Sequence, residues 1–394
     1  MMLKRAIDKI GSFSRLEKNL LLLFTSGLVA VVGLQLIQPL FPVFLKSIGA
    51  SEIEISLVIS LSSVAGTALM LPAGYIMDRV GERKMFLVGL LLWAGSTLFI
   101  ALAKNWRTVA FLYVFHGIAD AFVGPARMTL ISSTSTPATE ATVFSLMSLD
   151  WSIGGTVAPP VSGYLAEKMG WQVPLLVASA AFFLSVIPAL KMDERASRKI
   201  QRESPDTPRT GIVETHLQAA FLYFMFGFLT NSAQSMVGTM LPLFLNNQLS
   251  LSTTIIGLFF TTANLLGIFI QVPGGLLADR YSKKRLITLL LLPIPLIYMF
   301  WGIVEGWYMY LLIYVLSRGL LSMMGPATLA IVSEVFPEEH KGSAFGLRMA
   351  GVRLGSAVGP LIGGYLYGAL GPVTPFIGAG VVLLLSIPFI YLLR

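Results

Sequence analysis

Apolar runs of membrane-spanning length dominate the chain. A spanning α-helix needs about 20 predominantly apolar residues, and runs of this length alternate with short polar loops throughout the sequence. Glycine and proline recur inside the runs, as is common in membrane helices. The pattern predicts an all-α membrane protein with twelve transmembrane helices, at residues 19–45, 53–77, 85–103, 108–133, 141–166, 171–190, 217–245, 253–278, 286–304, 307–333, 342–368 and 373–393.

Two polar stretches interrupt this pattern. Residues 1–18 carry five basic side chains and no long apolar run, so we expect a cytoplasmic tail and not a cleaved signal peptide. Residues 191–216 are dense in charge and contain two prolines, which is typical of a polar linker. The sequence therefore predicts one six-helix bundle at 19–190, a cytoplasmic linker at 191–216 and a second six-helix bundle at 217–394.

The composition agrees with a membrane protein that crosses the bilayer many times. Of 394 residues, 55% are hydrophobic and 12% are charged, and the mean hydropathy is +0.77. Soluble domains have about 25% charged residues, so this chain has too little polar surface for a soluble globular protein. Cysteine is absent, which excludes disulfides, thiolate metal sites and cysteine nucleophiles.

The basic residues predict the orientation. The net charge is +8, but the lysines and arginines lie in short clusters between apolar runs, which argues against nucleic-acid binding. Twenty of them fall on the side of the N-terminal tail, the linker and Arg394, four fall on the opposite side, and four lie within spans. Because cytoplasmic loops are enriched in Lys and Arg, both termini are expected in the cytoplasm of a multi-pass cell-membrane protein.

The two predicted bundles repeat each other in sequence. Asp279 lies 201 residues after Asp78, and the same offset relates Gly-Pro-Ala motifs, tyrosines and glycines in three further blocks. Gly-Pro pairs recur in many membrane proteins, but chance does not keep four separated blocks in register. The repeat predicts two parallel bundles related by a pseudo-twofold axis along the membrane normal.

The residues from Gly74 to Lys84 resemble the cytoplasmic loop motif G-x-x-x-D-R-x-G-R-R of the major facilitator superfamily, with Glu82 in place of an arginine. The second copy has Ser282 where the first has Gly81. The resemblance covers essentially the whole chain. It implies a latch that joins the halves in the outward-facing state; a plain basic hairpin loop is the alternative. The latch and gate residues it implies are Gly74, Asp78, Arg79, Arg83, Gly275, Asp279, Arg280, Glu334 and Arg348, the last two by likeness to the charge network of sugar porters.

The fifth and eleventh spans carry a second motif of this family. The eleventh matches G-x-x-x-G-P-x-x-G-G, and the fifth has Ala158 and Ser162 in place of glycines. In drug–proton antiporters the copy in the fifth span is called the antiporter motif, although small residues four apart also serve helix packing alone. The motif residues are Gly154, Pro159, Gly163, Gly355, Gly359, Pro360, Gly363 and Gly364.

Ionisable residues within membrane spans are costly and usually functional. Asp120 lies near the middle of the fourth span and is the first candidate proton carrier. His116, one helical turn away, is the second candidate, and Asp150 is the third. A static ion pair is the alternative for either aspartate, for example Asp150 with Arg127.

The resemblance implies a central cavity lined by the first, fourth, seventh and tenth spans. Aromatic residues and methionines, such as Phe41, Tyr223, Met225 and Met236, predict an amphipathic or aromatic substrate; packing against lipid is the alternative for any single aromatic residue. The candidate polar lining consists of Gln35, Gln38, His116, Asp120, Asn231, Gln234, Arg318 and Arg353.

These features predict a secondary transporter that works by alternating access, most similar to the twelve-helix drug–proton antiporters, and the resemblance to the family implies a monomer. We expect proton-coupled export of small amphipathic or drug-like molecules. Symport or uniport uptake of a polar or anionic metabolite, with Arg318 and Arg353 as anion ligands, is the alternative. A channel or a transporter-like receptor fits less well, because the polar positions are discontinuous and the linker is too short for a signalling domain. No nucleotide-binding, metalloprotease or hydrolase motif is present, so neither catalysis nor a cofactor or metal is expected.

Overall fold

The computed structural model describes residues 15–134, 140–193 and 214–393, and within these ranges the protein is helical and contains no strand. Most of the predicted tail and most of the predicted linker lie outside the described residues. The long helices of the first half are α1 (Arg15–Ile37), α2 (Glu52–Val80), α3 (Glu82–Leu102), α4 (Trp106–Thr134), α5 (Leu149–Met169) and α6 (Gln172–Leu190).

The second half repeats this series. Its helices are α7 (Glu214–Asn247), α8 (Thr253–Arg280), α9, α10 (Trp307–Ala330), α11 (Glu338–Leu370) and α12 (Thr374–Tyr391). Helix α9 is broken into Lys283–Leu291 and Pro293–Met299, because Pro293 cannot continue a helical hydrogen-bond ladder. Short helices at Phe41–Ser47, Glu140–Met147 and Val332–Val335 lie between the long ones.

The turns around the loop motif show why its two copies differ. Gly81 alone separates α2 from α3 and has a φ of 97°, a conformation that favours glycine. At the equivalent place Tyr281 and Ser282 together separate α8 from α9, with φ values of −115° and −56°. The second copy therefore tolerates serine because its turn needs no positive φ.

Nine of the helices in the described ranges are long and apolar enough to cross a membrane by length and composition alone. The remaining three long helices, α5, α7 and α11, carry more Gly, Ser, Asn and Pro, which lowers their mean hydropathy. Helices α7 and α11 form the most extensive helix pair in the described chain. Small and polar residues on these helices serve close packing and cavity lining, which a count of apolar residues alone does not recognise.

The helices assemble into two pseudo-symmetric six-helix bundles, as the repeat predicts. In the N-terminal bundle (α1–α6) α1 packs on α5 and α6, and α2 packs on α4; in the C-terminal bundle (α7–α12) α7 packs on α11 and α12, and α8 packs on α10. Two seams join the bundles, α5 with α8 and α2 with α11, and the repeat converts each seam into the other. The fold predicted from the sequence is confirmed.

Both seams are tight at the end of the molecule where α2 and α8 begin, which we call the closed end. A Cβ added at Gly163 would lie 2.2 Å from the carbonyl oxygen of Thr253, and one at Gly364 would lie 2.0 Å from the hydroxyl of Ser56. At the opposite end, Gly74 of α2 and Gly346 of α11 meet nothing within 4 Å. The bundles are therefore in tight contact at the closed end, whereas the space beside Gly74 and Gly346 at the opposite end is open.

The two seams differ in polarity. In the α5–α8 seam, the hydroxyls of Thr253 and Thr261 donate to the carbonyls of Gly163 and Thr156, each over 2.7 Å. Asn264 donates to the carbonyl of Gly155 over 2.8 Å in the same seam. In the α2–α11 seam, by contrast, glycines of α11 provide close contacts. Gly364 lies against Ser56 and the carbonyl of Glu52, and Gly368 lies against the side chain of Ile53.

Candidate functional site

A central cavity lies between the bundles. It consists of a larger chamber of about 510 Å³ and a smaller chamber of about 260 Å³, which share Gln38, Trp151 and Gly238 in their walls. Aromatic side chains and three ionisable residues line the larger chamber: Phe41, Phe86, Trp93, Tyr113, Asp120, Arg127 and Arg353. Polar side chains and tyrosines line the smaller one: Gln35, Gln234, Asn264, Tyr298, Tyr314 and Arg318. A concave site with an apolar body and a few polar groups is typical of small-molecule binding.

Asp120 is the carboxylate that lines the larger chamber. The indole Nε1 of Trp93 donates to its Oδ1 over 3.1 Å and also approaches the carbonyl of His116 at 3.3 Å. Arg353 of α11 extends towards α4, the helix that carries Asp120, since a Cβ at Gly124 of α4 would lie 3.8 Å from Nη2 of Arg353. No ion pair within 4 Å joins Asp120 to a basic group of the described residues. Asp120 and Arg353 therefore face each other across the bundles without a closed salt bridge.

His116 does not line the cavity, contrary to the sequence prediction. Its ring is 1% exposed and stacks on Tyr113, with ring centroids 5.1 Å apart and an interplanar angle of 12°. Trp93 and Phe182 pack beside it, and neither ring nitrogen has a hydrogen-bond partner among the described side chains. Four residues along a helix leave an angular offset of about 40°, which is enough to turn His116 behind the cavity wall while Asp120 faces it.

Asp150 is fully buried in an ion pair with Arg127. Arg127 also donates to the carbonyl of Met147 over 2.9 Å. The pair occupies space beside Gly27 of α1, where a Cβ would lie 2.9 Å from Oδ2 of Asp150. The geometry is that of the static ion pair that the sequence offered as the alternative for Asp150. Sequence reasoning missed Gly27, whose lack of a side chain leaves room for the pair.

Arg318 belongs to the smaller chamber. Its Nη1 donates to Oε1 of Gln234 over 3.0 Å, and Tyr298 and Tyr314 lie within its electrostatic influence. Gln35 and Asn264 approach each other around Gly155 of α5, because a Cβ there would lie within 2.8 Å of both side-chain amides. These groups form a polar end to an otherwise aromatic cavity.

Asn231 was predicted to line the cavity but is absent from both chamber walls. Its amide donates to the carbonyl of Val352 over 2.7 Å and to the hydroxyl of Ser356 over 2.6 Å, so it fastens α7 to α11. Tyr223, Met225 and Met236 also lie outside the cavity walls, whereas Phe41 lines the larger chamber. Hydropathy could not distinguish side chains that face a neighbouring helix from those that face the cavity.

Asp78 and Arg79 of the first loop-motif copy make no ion pair with the opposite bundle within the described ranges. Asp78 is exposed and forms no ion pair with the described residues. Arg79 packs on Tyr75 of its own helix, and Arg83 donates to the carbonyls at the end of α6. In the second copy Asp279 and Arg280 are exposed, and a Cβ at Gly275 would reach only Pro326, at 4.0 Å.

Glu334 and Arg348, predicted to share a charge network, are not paired with each other. Glu334 forms an ion pair with Lys283 at the start of α9. Arg348 lies over the ring of Tyr223, with its guanidinium carbon 5.6 Å from the ring centroid. The sequence could not reveal these partners, because each lies on a helix distant in the chain.

The glycine motifs of α5 and α11 divide their contacts between the two bundles. Gly154 packs on Val31 of its own bundle, and Gly355 and Gly359 pack on the backbone of α7. Gly163 and Gly364, at the ends of the motifs, meet the opposite bundle. The backbone of Pro159 lies against Gly257 of α8. Pro360 lines the larger chamber, and Gly363 packs on Met236.

Comparison with known proteins agrees with this architecture. The chain is 24% identical over 379 residues to Multidrug resistance protein 2 of Bacillus subtilis, covering 94% of each chain. It is 22% identical over 357 residues to Quinolone resistance protein NorA of Staphylococcus aureus, covering 89% of this chain and 90% of the relative. A bacterial homologue of the human lysosomal transporter Spinster, in an inward-facing and occupied conformation, superposes with a TM-score of 0.78 at 14% identity, over 95% and 96% of the two chains.

The sequence profile of the Major Facilitator Superfamily matches residues 23–292 and 220–394. The two matches together extend over almost the whole sequence and include both copies of the loop motif. The chain belongs to the Major Facilitator Superfamily and is a multi-pass membrane transporter.

Proposed function

We propose that the protein exports small amphipathic molecules in exchange for protons by alternating access. The observation that carries this proposal is the cavity between the bundles, in which an aspartate without an ion pair is surrounded by aromatic walls. Aromatic surfaces bind apolar molecules of varied shape, while a few polar groups orient them. The names of the relatives, which refer to multidrug and quinolone resistance, support drug-like substrates.

Alternating access is supported by the distribution of contacts along the seams. Tight packing at Gly163 and Gly364 seals the closed end, while Gly74 and Gly346 are free of contacts at the other end. With both termini in the cytoplasm of a cell membrane, as the basic residues indicate, the cavity opens towards the cytoplasm. The opposite state requires the bundles to part at Gly163 and Gly364 and to meet at Gly74, where the loop motif serves as the latch.

Asp120 is the proposed proton carrier. Protonation removes its charge, and with it the attraction of Arg353 across the bundles. One proton thereby changes both the polarity of the larger chamber and the force between the halves. His116, sealed behind Trp93, and Asp150, paired with Arg127, are weaker candidates for the same role.

The test is dye flux in proteoliposomes under an imposed pH gradient. Dansylglycine, an amphipathic fluorescent molecule, is the probe, and Asp120→Asn is compared with Glu305→Gln, which removes an exposed carboxylate from the α9–α10 loop. We expect wild type and Glu305→Gln to move dansylglycine against its gradient and Asp120→Asn only to equilibrate it, with dansylglycine binding still measurable. Concentrative flux by Asp120→Asn at the wild-type rate would remove Asp120 from proton coupling.

Uptake of an anionic metabolite is the second candidate, because Arg318 and Arg353 both line the cavity. The direction of flux separates the two. In vesicles of known orientation, export predicts movement of substrate from the cytoplasmic face against the proton flow, whereas symport predicts movement of substrate with the proton. Size-exclusion chromatography with light scattering tests the expectation that the transporter is monomeric.

A further inference from the structure

The charges around the cavity do not balance. Arg127, Arg353 and Arg318 line its two chambers, and the only carboxylate in the described walls is Asp120. Asp150, behind the wall, is matched to Arg127. Asp120 and Arg353 face each other in the larger chamber. One guanidinium, that of Arg318, therefore has no carboxylate counterpart among the described residues.

Arg318 is a costly residue in its position. It lies within the apolar helix α10, and its hydrogen-bond partner is the neutral amide oxygen of Gln234. That oxygen engages one guanidinium nitrogen, whereas the group carries five N–H donors in a planar fork. An intramembrane charge is expensive unless another charge or water compensates it. Arg318 lines the smaller chamber, so an anion that compensates its charge would reach it through the cavity.

The surroundings of Arg318 suit an acidic group. Gln35, Gln38 and the two tyrosines Tyr298 and Tyr314 provide polar groups in the same wall. A chamber of about 260 Å³ accommodates a small head group. Through Trp151 and Gln38 the chamber joins the larger aromatic one, which can take the apolar body of the same molecule.

We propose that the transported molecules carry an acidic head group, which Arg318 binds in the smaller chamber while their apolar body occupies the larger one. This inference rests on the proposed function in taking the cavity as the substrate site. The anion ligand lies on the C-terminal bundle and the proposed proton carrier lies on the N-terminal bundle. Recognition of the acid and binding of the proton are therefore assigned to different residues, and one substrate touches both bundles.

Three dansyl compounds with a common fluorophore test the proposal: dansylglycine is anionic, dansylamide is neutral and dansylcadaverine is cationic. Binding to the full-length protein in detergent is followed by energy transfer from tryptophan, since Trp93 and Trp151 line the larger chamber. We expect dansylglycine to bind most tightly of the three. Arg318→Gln should weaken its binding about tenfold or more, as expected for loss of a charge-assisted contact, and leave dansylamide unchanged.

Two further variants separate recognition from folding. Arg318→Lys keeps the charge but loses the planar fork, so dansylglycine should bind with intermediate affinity. Arg107→Gln removes an exposed arginine at the start of α4, outside the cavity, and should bind all three compounds as wild type does. Tighter binding of dansylcadaverine than of dansylglycine, or an equal loss for all three compounds in Arg318→Gln, would overturn the proposal.

Failure of this binding proposal can be distinguished from failure of the proposed proton-coupled export. Binding in detergent requires no proton gradient, so charge-selective binding through Arg318 can hold even if dansylglycine flux proves independent of pH. Conversely, proton-driven dansylglycine flux combined with binding that ignores Arg318 would retain the transporter and reject the acidic head group.

Discussion

Substitution of Gly163 by alanine should shift the protein away from the conformation described. The added methyl group would lie 2.2 Å from the carbonyl oxygen of Thr253 and 2.5 Å from its carbonyl carbon. Ordinary contact between carbons is about 3.5 Å, so α5 and α8 must separate by about 1 Å. Both contact atoms belong to helix backbone and cannot rotate away, unlike the hydroxyl of Ser56 beside Gly364.

The energetic consequence follows from this clash. Overpacking of a close contact costs about 1–3 kcal/mol. The helix-propensity gain of alanine over glycine, about 1 kcal/mol, applies in both conformations because α5 remains helical, so it cancels from their ratio. A change of about 1–3 kcal/mol alters the ratio of the two conformations by about 5- to 150-fold.

Distance measurement between spin labels detects this shift. The chain contains no cysteine, so Lys104→Cys and Glu305→Cys introduce a single pair of labels at exposed, repeat-equivalent loops of the two bundles. Gly163→Ala should add a population with a longer distance between these labels. Gly95→Ala, at a site in α3 where a Cβ meets nothing within 4 Å, is the matched control. Identical distance distributions in both variants would refute the reasoning.

Three further predictions concern the ion pair, the latch and the indole. Asp150→Asn should lower the melting temperature of the purified protein, because it leaves Arg127 without its buried partner at a cost of about 3–5 kcal/mol. Arg127→Gln in the same chain should restore part of the loss, and an unchanged melting temperature in the single variant would contradict a structural pair. Asp78→Ala should increase the cytoplasm-open fraction in the spin-label assay. Asp78 makes no ion pair with the described residues in this conformation, so the substitution removes only the contacts proposed for the opposite conformation, and a fall in that fraction would reject the latch. Trp93→Phe removes the hydrogen bond to Asp120 and should move the midpoint of the pH dependence of dansylglycine flux, whereas an unmoved midpoint would separate the indole from proton coupling.

Much of the fold could be predicted from the sequence, because apolar runs and the repeat are properties of the chain alone. The offset that relates Asp78 to Asp279 also relates the contact of Gly163 with the carbonyl of Thr253 to that of Gly364 with the carbonyl of Glu52. Hydropathy detected α5, α7 and α11 less well than the other helices, since their small and polar residues follow from packing against other helices.

The candidate site was predictable only in part. Asp120, Gln38 and Arg318 were placed near a cavity because intramembrane polar groups avoid lipid. The orientation of His116 depends on Trp93 and Phe182 of other helices, and the attachment of Asn231 to α11 depends on Val352, so no local pattern specifies them. Trp93 and Trp151 were not selected for the same reason, since apolar aromatic residues are common on every face of a membrane helix.

The unequal polarity of the two seams has a mechanical consequence. Parting α5 from α8 leaves three threonine and asparagine side chains without their carbonyl partners until water replaces them. Parting α2 from α11 forfeits mainly van der Waals contact around Gly364. Under the proposed alternating access, we therefore expect the α2–α11 seam to separate at lower cost than the α5–α8 seam, although the sequence repeat makes the two seams equivalent.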